Sequence, residues 1–313
     1  MMNLIKKAAS MGYSIHSDEV HPDNRDPSML AQRPQMGWNS WNVLGCDLLN
    51  EENIKKQTDA LISNGLDKLG FKYILIDDCW QDMERDAEQH LKADVEKFPN
   101  GMKALADYVH KKGLKIGIYS SAGAKTCAGR PGSLGFEQED AATFASWGID
   151  YLKYDNCYNT RGVPAIDRYT QMGRAINETG RDIFYSICNW GNEDVTSWAP
   201  AIAQSWRTTI DIQLGNTTDS MKNGFQKIAA TFKRNAASYE VAGPGGWNDP
   251  DMMTIGYMNL GPEEMHTHLA LWALSKAPLI LSCDLTQIGP DTDKTTVAYL
   301  LKNNPDLLSI SQD

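Results

Sequence analysis

No Cys-x-x-Cys pair occurs anywhere in this chain of 313 residues, and its six cysteines are too few to staple a fold of that length. A thiolate zinc site and a disulfide scaffold are therefore both excluded as organising principles. Histidine is scarce as well, and the closest pair, His266 and His268, stands two apart on a predicted helix, where the rings point in different directions. No metal and no cofactor is expected. Positive charge is in deficit, 30 Lys and Arg against 40 Asp and Glu for a net charge of −10, and the cations are scattered. That argues against a nucleic-acid partner. No apolar run approaches the roughly 20 residues of a membrane helix. The opening MMNLIKKAASMGYSIHSDEV breaks off after a few apolar residues and lacks the core of a signal peptide. No Gly-rich phosphate loop follows the first strand, which disfavours an open dinucleotide-binding sheet.

What is present is an apolar content of 42%, ample for a large core, arranged in a strict alternation. Residues 1–33 are polar and proline-marked, and read as an N-terminal extension lying on or off the domain surface. Residues 34–313 read as one domain. Its strands are expected at QMGWNSW, Tyr73 to Ile76, Lys115 to Tyr119, Tyr151 to Tyr154, Asp182 to Ile187, Ser205 to Arg207, VAGPGGW and Pro278 to Ser282. Between them, helices are expected over Glu51 to Leu69, Met102 to Lys112, Gln138 to Trp147, after Pro164, near Val195, Ser220 to Ala237 and Pro262 to Leu274, with a last one near Val297 to Asn303. About eight βα units close a parallel sheet, so the predicted fold is a (β/α)₈ TIM barrel, with an open doubly wound sheet as the runner-up.

In such a barrel the residues just after each strand converge on one mouth. Here they are Trp38, Trp41, Asp77, Asp78, Tyr119, Lys153, Asp155, Cys188, Trp190, Arg207, Asp211, Asp249 and Asp251. Two strands share one grammar, YILIDDCW and YLKYDNCY, each running into an aspartate and then a cysteine. Taken singly, Asp77, Asp78, Asp155 and the aspartates of WNDPD also read as turn or helix caps. Together they make a mouth of carboxylates and rings, suited to a carbohydrate: aromatic faces stack on sugar rings and carboxylates accept from hydroxyls. Trp147, Trp198 and Trp272 read as core, and every histidine is placed in a helix or in the extension.

Lys153 and Asp155 stand two apart on one strand and so face the same side. The ammonium is expected to lower the Asp155 pKa and keep it ionised, as a nucleophile requires. Asp211 is the remaining candidate for a proton donor. A retaining glycosidase needs two such carboxyls about 5–5.5 Å apart. Two other chemistries fit parts of the pattern: a sugar-binding barrel without activity, and a metal-assisted lyase with Asp77, Asp155 and Asp251 as ligands.

At MGWNSW, YILIDDCW, GIYSSAGAKTCAGRPGS, YLKYDNCY, WRTTIDI and GPGGWNDPDM the chain resembles the α-galactosidase / α-N-acetylgalactosaminidase family of retaining glycoside hydrolases, family 27. The resemblance runs from about Gln35 to Asp313. It implies Asp155 as nucleophile, Asp211 as acid/base, and a galactose-binding shell of Trp41, Asp77, Asp78, Tyr119, Lys153, Arg207 and Asp251, with Cys127, Cys188 and Trp190 completing the substrate pocket. Asp77 and Asp78 would take the O4 and O6 hydroxyls. It also implies disulfides Cys46–Cys79 and Cys127–Cys157, with Cys188 and Cys283 left as thiols. The family's C-terminal antiparallel β domain is absent from the sequence, which is expected to be a fragment or a truncated form.

The segment after the fifth strand reads CNWG, similar to the CEWG-like motif of plant and fungal α-galactosidases. By that resemblance Cys188 and Trp190 favour a sugar 2-hydroxyl over an acetamide. The expected activity is retaining hydrolysis of terminal α-linked galactose, with α-N-acetylgalactosaminidase or β-L-arabinopyranosidase as the alternatives. The resemblance and two sequons, Asn177-Glu-Thr and Asn216-Thr-Thr, suit a secreted or vacuolar/lysosomal setting.

Overall fold

A computed structural model describes residues 27–313 apart from 160–161 and 213–223. Asn216 and the expected helix start at Ser220 lie outside the described residues, as do residues 1–26 of the expected extension. Eight parallel strands form one sheet: β1 Met36–Asn39, β2 Tyr73–Leu75, β3 Lys115–Ser121, β4 Tyr151–Asp155, β5 Phe184–Cys188, β6 Ser205–Arg207, β7 Trp247–Asp249 and β8 Leu279–Leu281. Each neighbour in sequence is a neighbour in space, and β8 returns to pair with β1. The ring closes beyond β7 itself, where Met253 bridges Leu281 in parallel and donates its N–H to Ile280 O at 2.8 Å. The fold is the (β/α)₈ barrel.

The helices are α1 Trp41–Leu44, α2 Glu51–Ser63, α3 Gly101–Lys111, α4 Glu137–Ser146, α5 Ala165–Glu178, α6 Gly224–Ala236, α7 Pro262–Leu274, α8 Val297–Lys302 and α9 Pro305–Gln312. Each layer follows from local chemistry. Asn50 caps α2 by accepting the Asn53 N–H at 2.8 Å, with Glu51 and Glu52 in the first turn to meet the positive end of the helix dipole. The expected continuation to Leu69 fails because Gly65 takes φ 71°, and Leu66–Leu69 is a 3₁₀ turn. The helix expected near Val195 is also replaced by two 3₁₀ turns, Val195–Ser197 and Ala199–Ala201. Pro200, which has no N–H to donate, prevents a longer run. Helix α9 was not anticipated. His90 lies in a loop closed by the Gln81–Ala93 bridge, not in a helix as expected.

The boundary expected after residue 33 falls inside structure. Pro27–Ala31 forms a 3₁₀ turn whose Ala31 is completely buried, and Ala31 O accepts from Trp247 Nε1 at 2.7 Å and from Gly245 N at 2.9 Å. It packs with Tyr73, Leu75, Tyr151, Phe184, Trp247 and Ile280. Tyr73, Tyr151, Phe184 and Trp247 are the first residues of their strands, so this cluster closes the N-terminal end of the barrel. Gln35 crosses above it, donating to Ser205 Oγ at 3.1 Å and to Tyr151 OH at 3.3 Å. With that end sealed, the opposite end is left open for a site.

Candidate active site

The open end holds a cleft of about 630 Å³ including its mouth, within the size range of small-molecule sites. It is lined by Trp41, Asp77, Asp78, Tyr119, Cys127, Lys153, Asp155, Cys188, Trp190, Arg207, Asp211 and Asp251, so the structure brings every sequence-predicted catalytic and binding residue to one place. Asn42, Ile212, Met252 and Thr254 also line it and were missed. They flank predicted residues, but neutral and apolar side chains carry no chemical signal of their own. Two strand-end residues fall elsewhere. Trp38 is wholly buried, with Nε1 donating to Cys283 O at 2.7 Å. Asp249 sits deeper in the barrel, in a small interior gap shared with Lys153, Cys188 and Arg207, and accepts the Asp251 N–H at 2.9 Å.

Asp155 ends β4 directly opposite Cys188 of β5. Its Oδ2 accepts from Tyr119 OH at 2.8 Å and its Oδ1 from the Asn156 N–H at 2.9 Å. Burial nevertheless dominates and raises its pKa to about 6, against the opposing pull of Lys153 and these two donors; the charge of Asp211 pushes the same way as burial. Lys153 lowers it as expected, but the net shift runs upward, against the expectation, because burial outweighs that pull. The register sets where the ammonium itself is engaged. Tyr119 pairs with Lys153, and continuing the ladder two residues past Leu75 brings Asp77 level with them. The Lys153 ammonium accordingly donates to Asp77 Oδ2 at 2.7 Å, where Asn39 Nδ2 also donates at 2.7 Å. Asn39 was missed as a site residue, although it stands inside the MGWNSW motif and also accepts the Trp41 N–H.

Asp78 Oδ2 takes the Ala128 N–H at 2.8 Å, and burial pushes its pKa up. On the far wall Arg207 donates to Asp211 Oδ1 at 2.9 Å and lies 3.2 Å from Asp251 Oδ2. Asp251 also accepts the Ile212 N–H at 2.7 Å, yet burial raises its pKa to about 6. Cys188 stays a thiol, because burial drives its pKa well up, and Arg207 Nη1 is 3.5 Å from its sulfur. Five carboxyls thus share the cleft with two cations. Cys79, Trp190 and Asp251 hold φ of 77°, 59° and 125°, strained values for side-chain-bearing residues, in the segments after β2, β5 and β7.

Disulfides Cys46–Cys79 and Cys127–Cys157 are formed, and Cys188 and Cys283 are free and buried. The first ties the segment after β1 to that after β2, and the second ties the segment after β3 to that after β4. Cys127 Sγ lies 3.4 Å from Asp155 Oδ2, but a disulfide sulfur has no proton to donate, so this is a packing contact. Among the described residues the one cluster with ligand atoms close enough for a metal is Cys127, Cys157 and Asp155, and both of its sulfurs are committed to that disulfide. Trp272 is core, as expected, with Nε1 donating to Asp251 O at 2.8 Å. Trp147 and Trp198 pack partly buried against the core.

A family model described as alpha galactosidase A matches residues 33–313. The alpha-galactosidase of Cyamopsis tetragonoloba is 49% identical over 285 residues, covering 91% of this chain and 65% of the relative. Alpha-galactosidase 2 of Arabidopsis thaliana is 50% identical over 285 residues, covering 91% and 68%. Among solved structures, alpha-galactosidase I from Mortierella vinacea superposes with a TM-score of 0.82 at 41% identity, over 91% of this chain and 74% of that one. The chain therefore spans about two thirds of the length of the curated relatives it matches.

Proposed function

The chain belongs to the alpha galactosidase A family, glycoside hydrolase family 27, and from that premise we propose that it hydrolyses terminal α-linked galactose with retention of configuration. The observation that carries the reading is the pairing of a buried Asp155 at the end of β4 with Asp211 on the opposite wall, close enough for their charges to influence each other, inside a cleft of carboxylates and rings. Asp155 attacks the anomeric carbon while Asp211 protonates the departing oxygen. Forming the glycosyl ester removes the Asp155 charge, which keeps the now deprotonated Asp211 ionised, the form that takes a proton from the incoming water. Asp77 and Asp78, fixed by Lys153, Asn39 and the Ala128 N–H, accept from the sugar hydroxyls, and Cys188 with Trp190 faces C2. The setting proposed is secreted or vacuolar/lysosomal, supported by two disulfides, which persist in oxidising compartments, and by exposed Asn177 of the described sequon. No helix among the described residues is long and apolar enough to cross a membrane.

The test is hydrolysis of nitrophenyl α-galactoside with NMR of the first-formed sugar, which should be the α anomer. Asp155→Ala should abolish turnover, with azide partly rescuing Asp155→Gly as the β-glycosyl azide. Asp211→Ala should spare activated aryl galactosides far more than alkyl ones, since a good leaving group needs little protonation. A β product, or an Asp155→Ala variant keeping a tenth of the activity, would refute the assignment.

A further inference from the structure

Behind Asp155, on the side away from the cleft, α5 buries an arginine. Arg168 is 2% exposed and directs its guanidinium to three acceptors on two segments: Nη1 donates to Ala122 O at 2.8 Å, Nη2 to Asn156 Oδ1 at 3.0 Å, and Nε to Val163 O at 3.3 Å. Two of those acceptors belong to the residues that grip Asp155. The Ala122 N–H donates to the Asp155 carbonyl at 2.8 Å, and the Asn156 N–H donates to its carboxylate Oδ1 at 2.9 Å. Glu193, on the segment after β5, stands 3.9 Å from Nη2 and accepts the N–H of Ala165, the first residue of α5. One planar fork thus ties the exits of β3 and β4 to each other and to the helix behind them.

Resting on the reading of Asp155 as nucleophile, we propose that Arg168 is a positioning residue for it, acting through Ala122 and Asn156. Simple packing would not require a buried cation, which is costly to desolvate and which only a multidentate donor set repays. The three acceptors lie on two segments, the exits of β3 and β4, and the planar fork of a guanidinium is preorganised to reach all three at once, which a compact ammonium is not. What the fork secures is the direction of the carboxylate, where a small misplacement is costly in rate. Around Asp155 the titratable and charged groups are Lys153 on its own strand, Tyr119 on β3, Cys188 on β5, Tyr169 on α5 and Asp211 beyond β6. Of these, Tyr169 also feels Arg168, whose guanidinium lies 5.8 Å from its ring centroid, so the Arg168 variants are read beside Asn156→Ala, which leaves that charge in place.

The experiment compares Arg168→Met, Arg168→Lys and Asn156→Ala with the unaltered chain on nitrophenyl α-galactoside, measuring kcat, KM, the pH dependence of kcat/KM and thermal melting. Arg168→Met should lower kcat by about 100-fold with KM within about threefold, the pattern of a lost transition-state interaction. The acid limb should move up by half a pH unit or more, because the loosened Asn156 N–H no longer favours the ionised carboxylate. Arg168→Lys should recover about tenfold of the kcat by reaching one acceptor, and Asn156→Ala should lose about tenfold with the same upward limb. A variant that melts lower yet keeps kcat per folded molecule within threefold and an unmoved limb overturns the proposal. Asn156→Ala decides it if Arg168→Met does not fold. An active Asp155→Ala variant would sink the nucleophile reading itself, whereas an inactive one alongside a normal Arg168→Met would sink only the positioning role.

Discussion

Burial works against the charge that Asp155 needs as the proposed nucleophile. Its folded pKa of about 6 lies above the ordinary 3.8, so the ionised form opposes folding fully above about pH 6, and that cost fades as the pH falls from 6 towards 4. A rise of that size corresponds to about 3 kcal/mol. Asp155→Asn should therefore be inactive but more stable, by up to about 3 kcal/mol at pH 7 and by little at pH 4, in urea unfolding at the two pH values. In the unaltered chain kcat/KM should fall tenfold per pH unit below about 6. A flat profile from pH 4 to 7 would remove Asp155 from the rate equation. Across the cleft, Cys188 and Trp190 fill space. On the proposed reading the Trp190 indole stands beside C2 and leaves room for a hydroxyl and none for an acetamide, and a clash in a rigid pocket costs more than a missing contact. Cys188→Ser with Trp190→Ala should raise the ratio of N-acetylgalactosaminide to galactoside kcat/KM by about tenfold, about 1.4 kcal/mol. An unchanged ratio moves the determinant elsewhere.

At the scale of elements, the strands deliver the functional groups and the segments after them carry the strain, so the disulfides matter where they fall. Cys46–Cys79 and Cys127–Cys157 close loops of 33 and 30 residues, each worth about 3.5–4 kcal/mol in the chain-entropy account. Both lie at the rim, and Cys127 touches Asp155. Mild reduction should therefore cost activity before the barrel melts, followed by activity and far-ultraviolet circular dichroism on one sample. Simultaneous loss of both would show that the bridges hold the fold as a whole. Gly191 shows how tight this rim is: at φ +77° an added Cβ would stand 2.3 Å from Thr208 O, so the turn that presents Trp190 admits only glycine.

For the whole molecule the division of labour runs along the barrel axis. The N-terminal end is sealed by Ala31 against Tyr73, Tyr151, Phe184 and Trp247, while the open end holds the cleft and its five carboxyls. Stability and catalysis should then separate by position. Ala31→Asp, which forces a carboxylate into the sealed end, should cost about 2–4 kcal/mol of stability and leave KM and kcat per folded molecule unchanged. Chemical denaturation and steady-state kinetics on the same preparation check both halves. A KM raised several-fold would mean that the two ends are coupled.

The sequence by itself determined the eight-unit alternation, the strand ends and the aspartates they carry, because hydrophobic periodicity and a carboxylate after an apolar run are properties of adjacent residues. The bounds of β6 and α7 could be read from the chain to the residue. Disulfide pairing was legible only through family resemblance, since spacing does not say which sulfurs meet. The tertiary structure decided the rest. Lys153 pairs with Asp77 because strand register sets them level, and the pKa of Asp155 rises because burial outweighs a nearby cation. Met253 closes the ring, Ala31 seals its floor, and Arg168 joins segments 46 residues apart. Each of these depends on contacts between distant parts of the chain, and their energies come from desolvation and geometry that no local pattern encodes.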